Sequence, residues 1–330
     1  MLNARENMIE CIKGGNPERF VNQYEGISLL FHPFLMFANP LVQKGQTNIK
    51  NAWGIYNSFP ENTPGAFPVH TPDKIVVKDI TRWRDYVHAP KTRLPDSAWE
   101  MSYAMAEKVD RDQVFLSAMV APGLFEQTHH LCEIQNALIN FYEEPDSVKE
   151  LIEYLKEYEL NYADEVVSHL HPDAVFHHDD WGSQISTFMS PGMFAEFYLD
   201  AYKEIYGFYK SHGVEIIVHH SDSYAATLVP HMIEMGIDIW QGALTTNNLP
   251  ELIAKYGGQI SFHGGVDNGL VDREDWTKEN VEKYTRQIVE ACGKHYFIPG
   301  LTIGLPGSTY RGVYQATSEV ISQLSEEDFR

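Results

Sequence analysis

Histidines and acidic residues cluster at or just beyond the ends of four apolar segments of this sequence. Imidazole and carboxylate groups that meet in a partly dry pocket can exchange protons at a tuned pKa, or bind zinc or iron. The residues are Glu126 after the first segment, His177, His178, Asp179 and Asp180 after the second, His219, His220 and Asp222 after the third, and His263 and Asp267 after the fourth. Their types predict proton transfer or metal binding at a shared site.

The sequence lacks the motifs of several other kinds of catalysis. No Ser, Cys or Thr lies in a nucleophile elbow, and no phosphate-binding loop is present, so covalent hydrolysis and phosphoryl transfer are excluded. Gly264 and Gly265 lack the spacing of a dinucleotide site, and no H-E-x-x-H motif marks a metal. Taken alone, each histidine is equally consistent with a structural residue that holds a loop by hydrogen bonds.

The two-residue period of a strand divides the paired residues between two faces. His178 and Asp180 share one face of their segment and His177 and Asp179 the other. On the next segment, His220 and Asp222 share one face and His219 has the other. We expect one histidine of each pair to face the pocket and its neighbour to face the helix layer.

From about residue 112 onward, short apolar segments alternate with amphipathic ones, which is typical of repeated βα units. Eight strands are predicted: Ile27–Phe31, Ala52–Tyr56, Val114–Val120, Ala174–His178, Val214–His219, Ile237–Trp240, Gln259–His263 and Tyr296–Pro299. The fold class is therefore α/β, a (β/α)₈ TIM barrel, in which the carboxyl ends of the strands meet on one face.

Helix boundaries and an insertion complete the predicted domain. Ser190 with Pro191 predicts one helix start, Thr277 a second and Ser308 the last, and Leu249–Tyr256 is a short helix. Residues 57–100 contain many prolines and lack helical periodicity, so they are interpreted as an irregular N-terminal insertion or hairpin over the barrel. Residues 1–330 are expected to form a single domain.

Composition limits the partners. A formal net charge of −21 without a Lys/Arg cluster argues against nucleic acid. Three separated cysteines without a C-x-x-C motif indicate a reducing compartment, and no signal peptide or bilayer-spanning segment is recognised. We expect a cytoplasmic protein without a membrane partner, and a homodimer remains open.

The segment HHDDWGSQISTFMSPGMFAEFYLDAYKEIYGFYKSHGVEIIVHHSDS resembles the uroporphyrinogen decarboxylase superfamily. Members carry a DDWG-like turn, then S-P before an aromatic-rich helix, then a strand that ends in H-S-C-G. The resemblance continues through LVPHMIEMGIDIWQGAL, FHGGVDNGLV and FIPGLTIGLPGSTYRGVYQATSEV. It covers most of the C-terminal two thirds and implies a (β/α)₈ barrel.

The resemblance implies two functional branches. The decarboxylase holds its tetrapyrrole with an arginine-rich N-terminal segment, whereas only Arg5 and Arg19 precede Arg82 here. The cobamide-dependent methyltransferases acting on thiols hold zinc with His-x-Cys and a later cysteine. Here those positions read His220-Ser221-Asp222 and Pro299-Gly300-Leu301, so a zinc site would use His220, Asp222 and His263 instead.

The better match is a demethylase-type methyltransferase, because the sequence Gly123-Leu124-Phe125-Glu126 resembles the GLFE-like segment of that group. The resemblance implies transfer of a methyl group from a small donor, such as a methoxylated aromatic compound, to the Co(I) of a partner corrinoid protein. The residues assigned to catalysis are His178, Asp180, His220 and Asp222, and those assigned to substrate binding are Glu126, Gln184, His263 and Asp267. Two alternatives stay open, namely a cofactor-free decarboxylase of a smaller acid and a non-catalytic small-molecule binder.

Overall fold

The computed structural model describes residues 1–39, 41–63, 65–303 and 305–329. Seven of its strands form one curled sheet in which every strand is parallel to its neighbours. The strands of the described residues are β1 (Ile27–Leu30), β2 (Ile49–Lys50), β3 (Tyr56–Ser58), β4 (Phe67–Pro68), β5 (Phe115–Val120), β6 (Ala174–His178), β7 (Ile216–His220), β8 (Ile239–Ala243), β9 (Ser261–Val266) and β10 (Phe297–Leu301). The order in the parallel sheet is β1-β5-β6-β7-β8-β9-β10.

The predicted strand Ala52–Tyr56 is wrong, so the described residues form a seven-stranded parallel sheet and not a complete eight-stranded barrel. The side-chain oxygen of Asn51 accepts hydrogen bonds from the backbone N–H groups of Trp53 and Ile55, each at 3.0 Å. Gly54 completes this turn with a left-handed φ of 88°. A local side-chain turn therefore competes successfully with extended backbone in this segment.

The segment that precedes β1 lies against β10, at the opposite edge of the sheet. The backbone N–H of Gln23 donates to the carbonyl of Pro299 at 3.2 Å, and its side-chain oxygen accepts from the N–H of Leu301 at 3.4 Å. Its side-chain amide donates to the hydroxyl of Ser318 at 2.7 Å. One backbone hydrogen bond and the Gln23 side chain therefore connect the segment before β1 to the β10 edge, where the described residues form no further strand pair.

Residues 57–100 carry short elements. Strands β3 and β4, with β2 from the preceding residues, form a small antiparallel sheet, and short 3₁₀ turns follow at Ile80–Asp85 and Asp96–Trp99. The N–H of Val77 donates to the carbonyl of Leu131 at 2.9 Å, so this segment packs on the helix that follows β5. The assignment of the whole chain to a single domain stays a prediction.

Helices connect the strands of the parallel sheet. They are α1 (Ala4–Lys13), α2 (Pro33–Phe37), α3 (Glu100–Ala106), α4 (Leu124–Cys132), α5 (Ile134–Glu143), α6 (Pro145–Leu170), α7 (Pro191–Phe194), α8 (Asp200–Ser211), α9 (Val229–Glu234), α10 (Leu249–Tyr256), α11 (Asn268–Val271), α12 (Lys278–Cys292) and α13 (Val313–Asp328). The predicted starts at Ser190 and Thr277 are confirmed, because both hydroxyls accept a backbone N–H of the first turn. The start predicted at Ser308 is wrong, since α13 begins after Gly312.

Two apolar layers hold the sheet. An inner cluster includes Phe115, Phe176, Val218, Ile239 and Ile298, which alternate along their strands with residues of the outer cluster that packs on the helices. Among the described helices, none combines the length and the apolar character needed to cross a bilayer.

Candidate active site

One row of polar side chains crosses four neighbouring strands near their carboxyl ends. His178 on β6 is the Cα partner of His220 on β7, which pairs with Gln241 on β8, which in turn pairs with His263 on β9. Register partners in a parallel sheet project from the same face. His178, His220 and His263 therefore lie on the same face of the sheet.

The neighbouring residues face the helix layer, as the two-residue period predicts. His177 is fully buried, and its Nε2 contacts Oε1 of Glu159 on α6 at 2.7 Å. His219 is also fully buried between Tyr206 on α8 and the backbone carbonyl of Asp179. Both histidines therefore have structural partners outside the pocket.

Asp179 positions the helix that carries Glu126. Its buried carboxylate accepts the backbone N–H groups of Phe125 at 3.0 Å and Glu126 at 2.7 Å, which belong to the first turn of α4. It also accepts Nε1–H of Trp181 at 2.8 Å and the hydroxyl of Tyr202. Gly123 allows this approach, because a Cβ atom there would lie 2.5 Å from Cβ of Asp179.

Glu126 and His178 form a pair at the pocket, with Glu126 Oε2 lying 2.8 Å from His178 Nδ1. Burial raises the pKa of Glu126 to about 7, although the charge of His178 opposes this. Burial lowers the pKa of His178, but the carboxylates of Glu126, Asp180 and Asp222 outweigh it and raise that pKa to about 10. His178 is therefore an imidazolium at neutral pH, and its Nε2 remains available to the pocket.

Asp180 and Asp222 form a second pair, in which both members are acidic. The backbone N–H of Asp222 donates to Oδ1 of Asp180 at 3.0 Å. Burial, together with the nearby charge of Asp180, raises the pKa of Asp222 to about 8. Two neighbouring carboxyl groups that share one proton behave in this way, because both cannot ionise at little cost.

His220 completes the cluster. Its Nδ1 is hydrogen-bonded to Oε1 of Gln241, and its ring stacks on that of His178 with centroids 4.4 Å apart. Burial, and then the charge of His178, lower the pKa of His220 to about 4. His220 is therefore neutral, with Nδ1 as donor and Nε2 as the nitrogen left to accept a proton or a metal.

His178, Asp180 and His220 fit a metal ion. Each offers one ligand atom, and the three atoms lie within 4.8 Å of one another. Two imidazoles and one carboxylate with an open position match catalytic zinc, and Glu126 and Gln241 hold the Nδ1 atoms as outer partners. The set His220, Asp222 and His263 that the sequence suggested shares only His220 with this cluster and stays a prediction.

Zinc added to the metal-free protein is expected to bind once and to release a proton, because a ligand imidazole must be neutral whereas His178 is protonated. The affinity should therefore rise with pH. Replacing His220 by alanine should weaken binding by about 100-fold or more, because it removes one of three protein ligands. Calorimetry in buffers of different ionisation enthalpy measures both quantities. The exposed Gln184→Ala is the matched control, and equal affinity of His220→Ala and Gln184→Ala would contradict the assignment.

The stability of Asp222→Asn should increase relative to the wild type as pH rises from about 4 to about 8. The folded-state pKa of Asp222 is raised, so between these values the native protein retains a proton that the unfolded chain has released. Stability then falls with rising pH, and one such proton contributes up to about 1.4 kcal/mol per pH unit. Thermal unfolding of both proteins with a chelator present measures the difference, and a pH-independent difference would refute the shift.

A cavity of about 210 Å³ opens beside the cluster. It is lined by Tyr24, Leu29, Met119, Phe176, His178, His220, Asp222, Ile303, Leu305 and Ser308. Among these described residues there is no lysine or arginine. The cavity is therefore an apolar space with titratable groups on one wall.

The remaining predicted site residues lie elsewhere. Gln184 is exposed, and its backbone carbonyl accepts the hydroxyl of Thr246 at 2.8 Å. Asp267 caps α11 by accepting the N–H of Gly269 at 2.8 Å. His263 is buried below the cavity surface, and its ring lies edge-on to that of Tyr24 with centroids 4.8 Å apart. None of the three lines the cavity.

The sequence analysis missed several residues of the site. Gln241 holds His220, and a single polar residue inside the apolar segment Ile239–Ala243 was a signal that could have identified it. Tyr24, Met119 and Phe176 line the cavity from segments without any motif, and only the folded chain places them there.

Comparisons with known proteins agree with this fold. The family model for uroporphyrinogen decarboxylase (URO-D) matches residues 49–323. Among solved structures, the chain is similar to a methyltransferase from Methanosarcina mazei, with a TM-score of 0.63 and 12% sequence identity over 98% of this chain and 99% of that one. At this identity the likeness concerns the fold. No curated protein matches the sequence.

Proposed function

Because the chain belongs to the uroporphyrinogen decarboxylase family, we propose that it is a corrinoid-dependent methyltransferase of the demethylase type. It moves a methyl group from a small methylated donor, such as a methoxylated aromatic compound, to the Co(I) of a partner corrinoid protein. The observation that carries the proposal is the cavity wall formed by His178, His220 and Asp222. These groups can activate an oxygen leaving group within an otherwise apolar space.

The size and charge of the cavity favour a small donor over a tetrapyrrole. Its volume of about 210 Å³ lies below the range of roughly 300–1,000 Å³ that is usual for drug-sized ligands. A tetrapyrrole with several propionates also requires cationic side chains, and the described lining contains no lysine or arginine. Leu29, Met119 and Phe176 offer apolar contacts that suit an aromatic ring.

Removal of a methyl group from an ether leaves an alkoxide or phenoxide, which requires a proton or a Lewis acid. His178 holds a proton at neutral pH, and Glu126 fixes its Nδ1 so that Nε2 faces the cavity. Asp222 is a second proton source, since its pKa is raised to about 8. In the metal-free protein, His178 therefore donates the proton and the Asp180–Asp222 pair replenishes it.

A zinc ion is the alternative activator. His178, Asp180 and His220 would hold it, and it would supply Lewis-acid polarisation of the leaving oxygen. In that case Glu126 and Gln241 orient the two ligand imidazoles, and Asp222 remains the proton source. The cytoplasmic location and a homodimer stay predictions.

The test mixes the purified protein with reduced corrinoid protein and a panel of methoxyaromatics, methylamines and other methyl donors. Formation of the methylated corrinoid is followed by its visible spectrum, and the demethylated product by chromatography. Methylation that depends on both the protein and one donor supports the proposal. If the metal-free and zinc-loaded proteins both leave the spectrum unchanged with every donor, the proposal fails.

A second candidate is decarboxylation of a smaller acid without a cofactor. The imidazolium of His178 can bind a carboxylate, and the protonated Asp222 can donate to a developing carbanion. Release of CO₂ from a panel of small aromatic acids, in the absence of any corrinoid, distinguishes this activity from methyl transfer.

A further inference from the structure

Two buried polar side chains inside the sheet lack hydrogen-bond partners. Gln241 is fully buried and His263 is 1% exposed. Among the described residues, no partner satisfies Nε2 of Gln241 or either ring nitrogen of His263. A buried polar atom without a partner costs free energy comparable to a lost hydrogen bond, so a folded protein is expected to satisfy these three nitrogens.

The strand order determines the direction in which the Gln241 amide points. Strand β8 lies between β7 and β9, and Gln241 is the Cα partner of His220 on one side and of His263 on the other. Its Oε1 is hydrogen-bonded to Nδ1 of His220. Because the two ends of an amide point in different directions, the NH₂ group is left towards the His263 side.

The space around His263 is tightly defined. Its ring lies edge-on to Tyr24, and a Cβ atom at Gly300 would lie 2.8 Å from its Nε2. Its Nε2 therefore lies beside Gly300 on β10, where the absence of a side chain leaves room for the ring. One nitrogen can receive a hydrogen bond from the β8 side and the other can donate, as a neutral imidazole does.

We propose that His263 is a positioning residue, connected to His220 through Gln241 and one internal water molecule. In this hydrogen-bond chain, Nε2–H of Gln241 donates to the water, and the water donates to a ring nitrogen of His263. These hydrogen bonds fix the orientation of the Gln241 amide. The amide oxygen then stabilises the Nδ1–H tautomer of His220, so that Nε2 of His220 faces the cavity. An internal water with two or more polar partners is a usual solution for such groups.

This hydrogen-bond chain predicts that a substitution outside the cavity changes the catalytic cluster. His263 does not line the cavity, so its replacement should act on the catalytic cluster only through Gln241. The hydrogen-bond chain is independent of the reaction catalysed, whereas the catalytic role of His220 rests on the proposed function.

The test is the tautomer of His220 in metal-free protein, measured by long-range ¹H–¹⁵N correlation spectra of histidine-labelled samples. In His263→Phe, which keeps the ring contact with Tyr24 but lacks both nitrogens, His220 should show a mixture of the two tautomers. His263→Gln, which restores a polar atom for the water, should recover the Nδ1–H form at least in part. Ile239→Val, another buried change on β8, is the control and should match the wild type.

Zinc affinity provides the second measurement. Loss of an outer partner of a ligand histidine typically weakens metal binding by about 10- to 100-fold, and we expect the lower end for His263→Phe. A pure Nδ1–H tautomer and wild-type zinc affinity in folded His263→Phe would overturn the inference. If His263→Phe does not fold, His263→Leu, which also lacks both ring nitrogens, is read in the same two ways, and a pure Nδ1–H tautomer with wild-type zinc affinity in it also overturns the inference.

Discussion

Replacing His178 by glutamine is expected to lower kcat for the proposed methyl transfer by about 10²- to 10⁴-fold, which is the usual contribution of a positioned proton donor. Glutamine keeps a polar side chain on β6 but cannot carry the proton that Glu126 holds on the imidazole. If zinc is the activator, the same change removes a ligand, so a large loss is expected under either mechanism. Single-turnover formation of the methylated corrinoid measures the effect.

The neighbouring histidine provides the matched control. His177 differs from His178 by one residue but faces α6, where it pairs with the buried Glu159. His177→Gln should lower the melting temperature, because it disturbs a fully buried polar pair, and should retain most of the activity of the folded fraction. His178→Gln should lose most of its activity and change the melting temperature little, because His178 is partly exposed to the cavity. Equal activities of the two folded variants would remove His178 from the proposed catalytic role.

Replacing Asp179 by asparagine is expected to reduce the free energy of unfolding by about 3 kcal/mol. The carboxylate accepts four donors, and asparagine offers an NH₂ group in place of one acceptor oxygen, so at least one buried donor loses its partner. A hydrogen bond to a charged group contributes about 1.5–3 kcal/mol, and an orphaned donor costs a similar amount. Chemical unfolding measures the loss of stability.

Asp179→Asn should also affect the site, because Asp179 holds the first turn of α4, which carries Glu126. Hydrogen exchange at the amides of Phe125 and Glu126 should accelerate, and the pairing of Glu126 with His178 should weaken. Tyr202→Phe removes one of the four donors and also the hydroxyl that accepts the backbone N–H of Leu124 at 3.0 Å, so it should cost about 2 kcal/mol. The interpretation would be wrong if Asp179→Asn were as stable as the wild type, or if Tyr202→Phe were the more damaging change.

The alternation of side chains along the strands was predictable from the sequence. A period of two residues follows from the pleat of a strand, so the two histidines of each pair could be assigned to opposite faces. Only the strand register shows that His178 and His220 share one face. Strand β6 was predicted with its observed limits, and Ser190 and Thr277 cap their helices as predicted. These features depend on residues close together in the chain.

The strand predicted at Ala52–Tyr56 and the helix start predicted at Ser308 failed because of local backbone turns. Ala52–Tyr56 has an apolar pattern, but the Asn51 side chain turns the backbone before a strand can form. The last helix begins after Gly312, whose φ of 97° separates it from the 3₁₀ turn that contains Ser308. Hydrophobic pattern alone does not report such side-chain turns and left-handed residues.

The sequence by itself determined the family resemblance, the division of each histidine pair between two faces of its strand, and the acidic, arginine-poor composition. Only the tertiary structure decided the contacts between them. Glu126 meets His178 across 52 residues, and Gln241 meets His220 across 21, because separate strands and a helix converge at one end of the sheet. The same packing places Gln184 and Asp267 outside the cavity lining, and it brings His178, Asp180 and His220 together as candidate metal ligands. A sequence specifies which groups are present, whereas the distance between their atoms, which controls pKa and coordination, is set by how the strands pair.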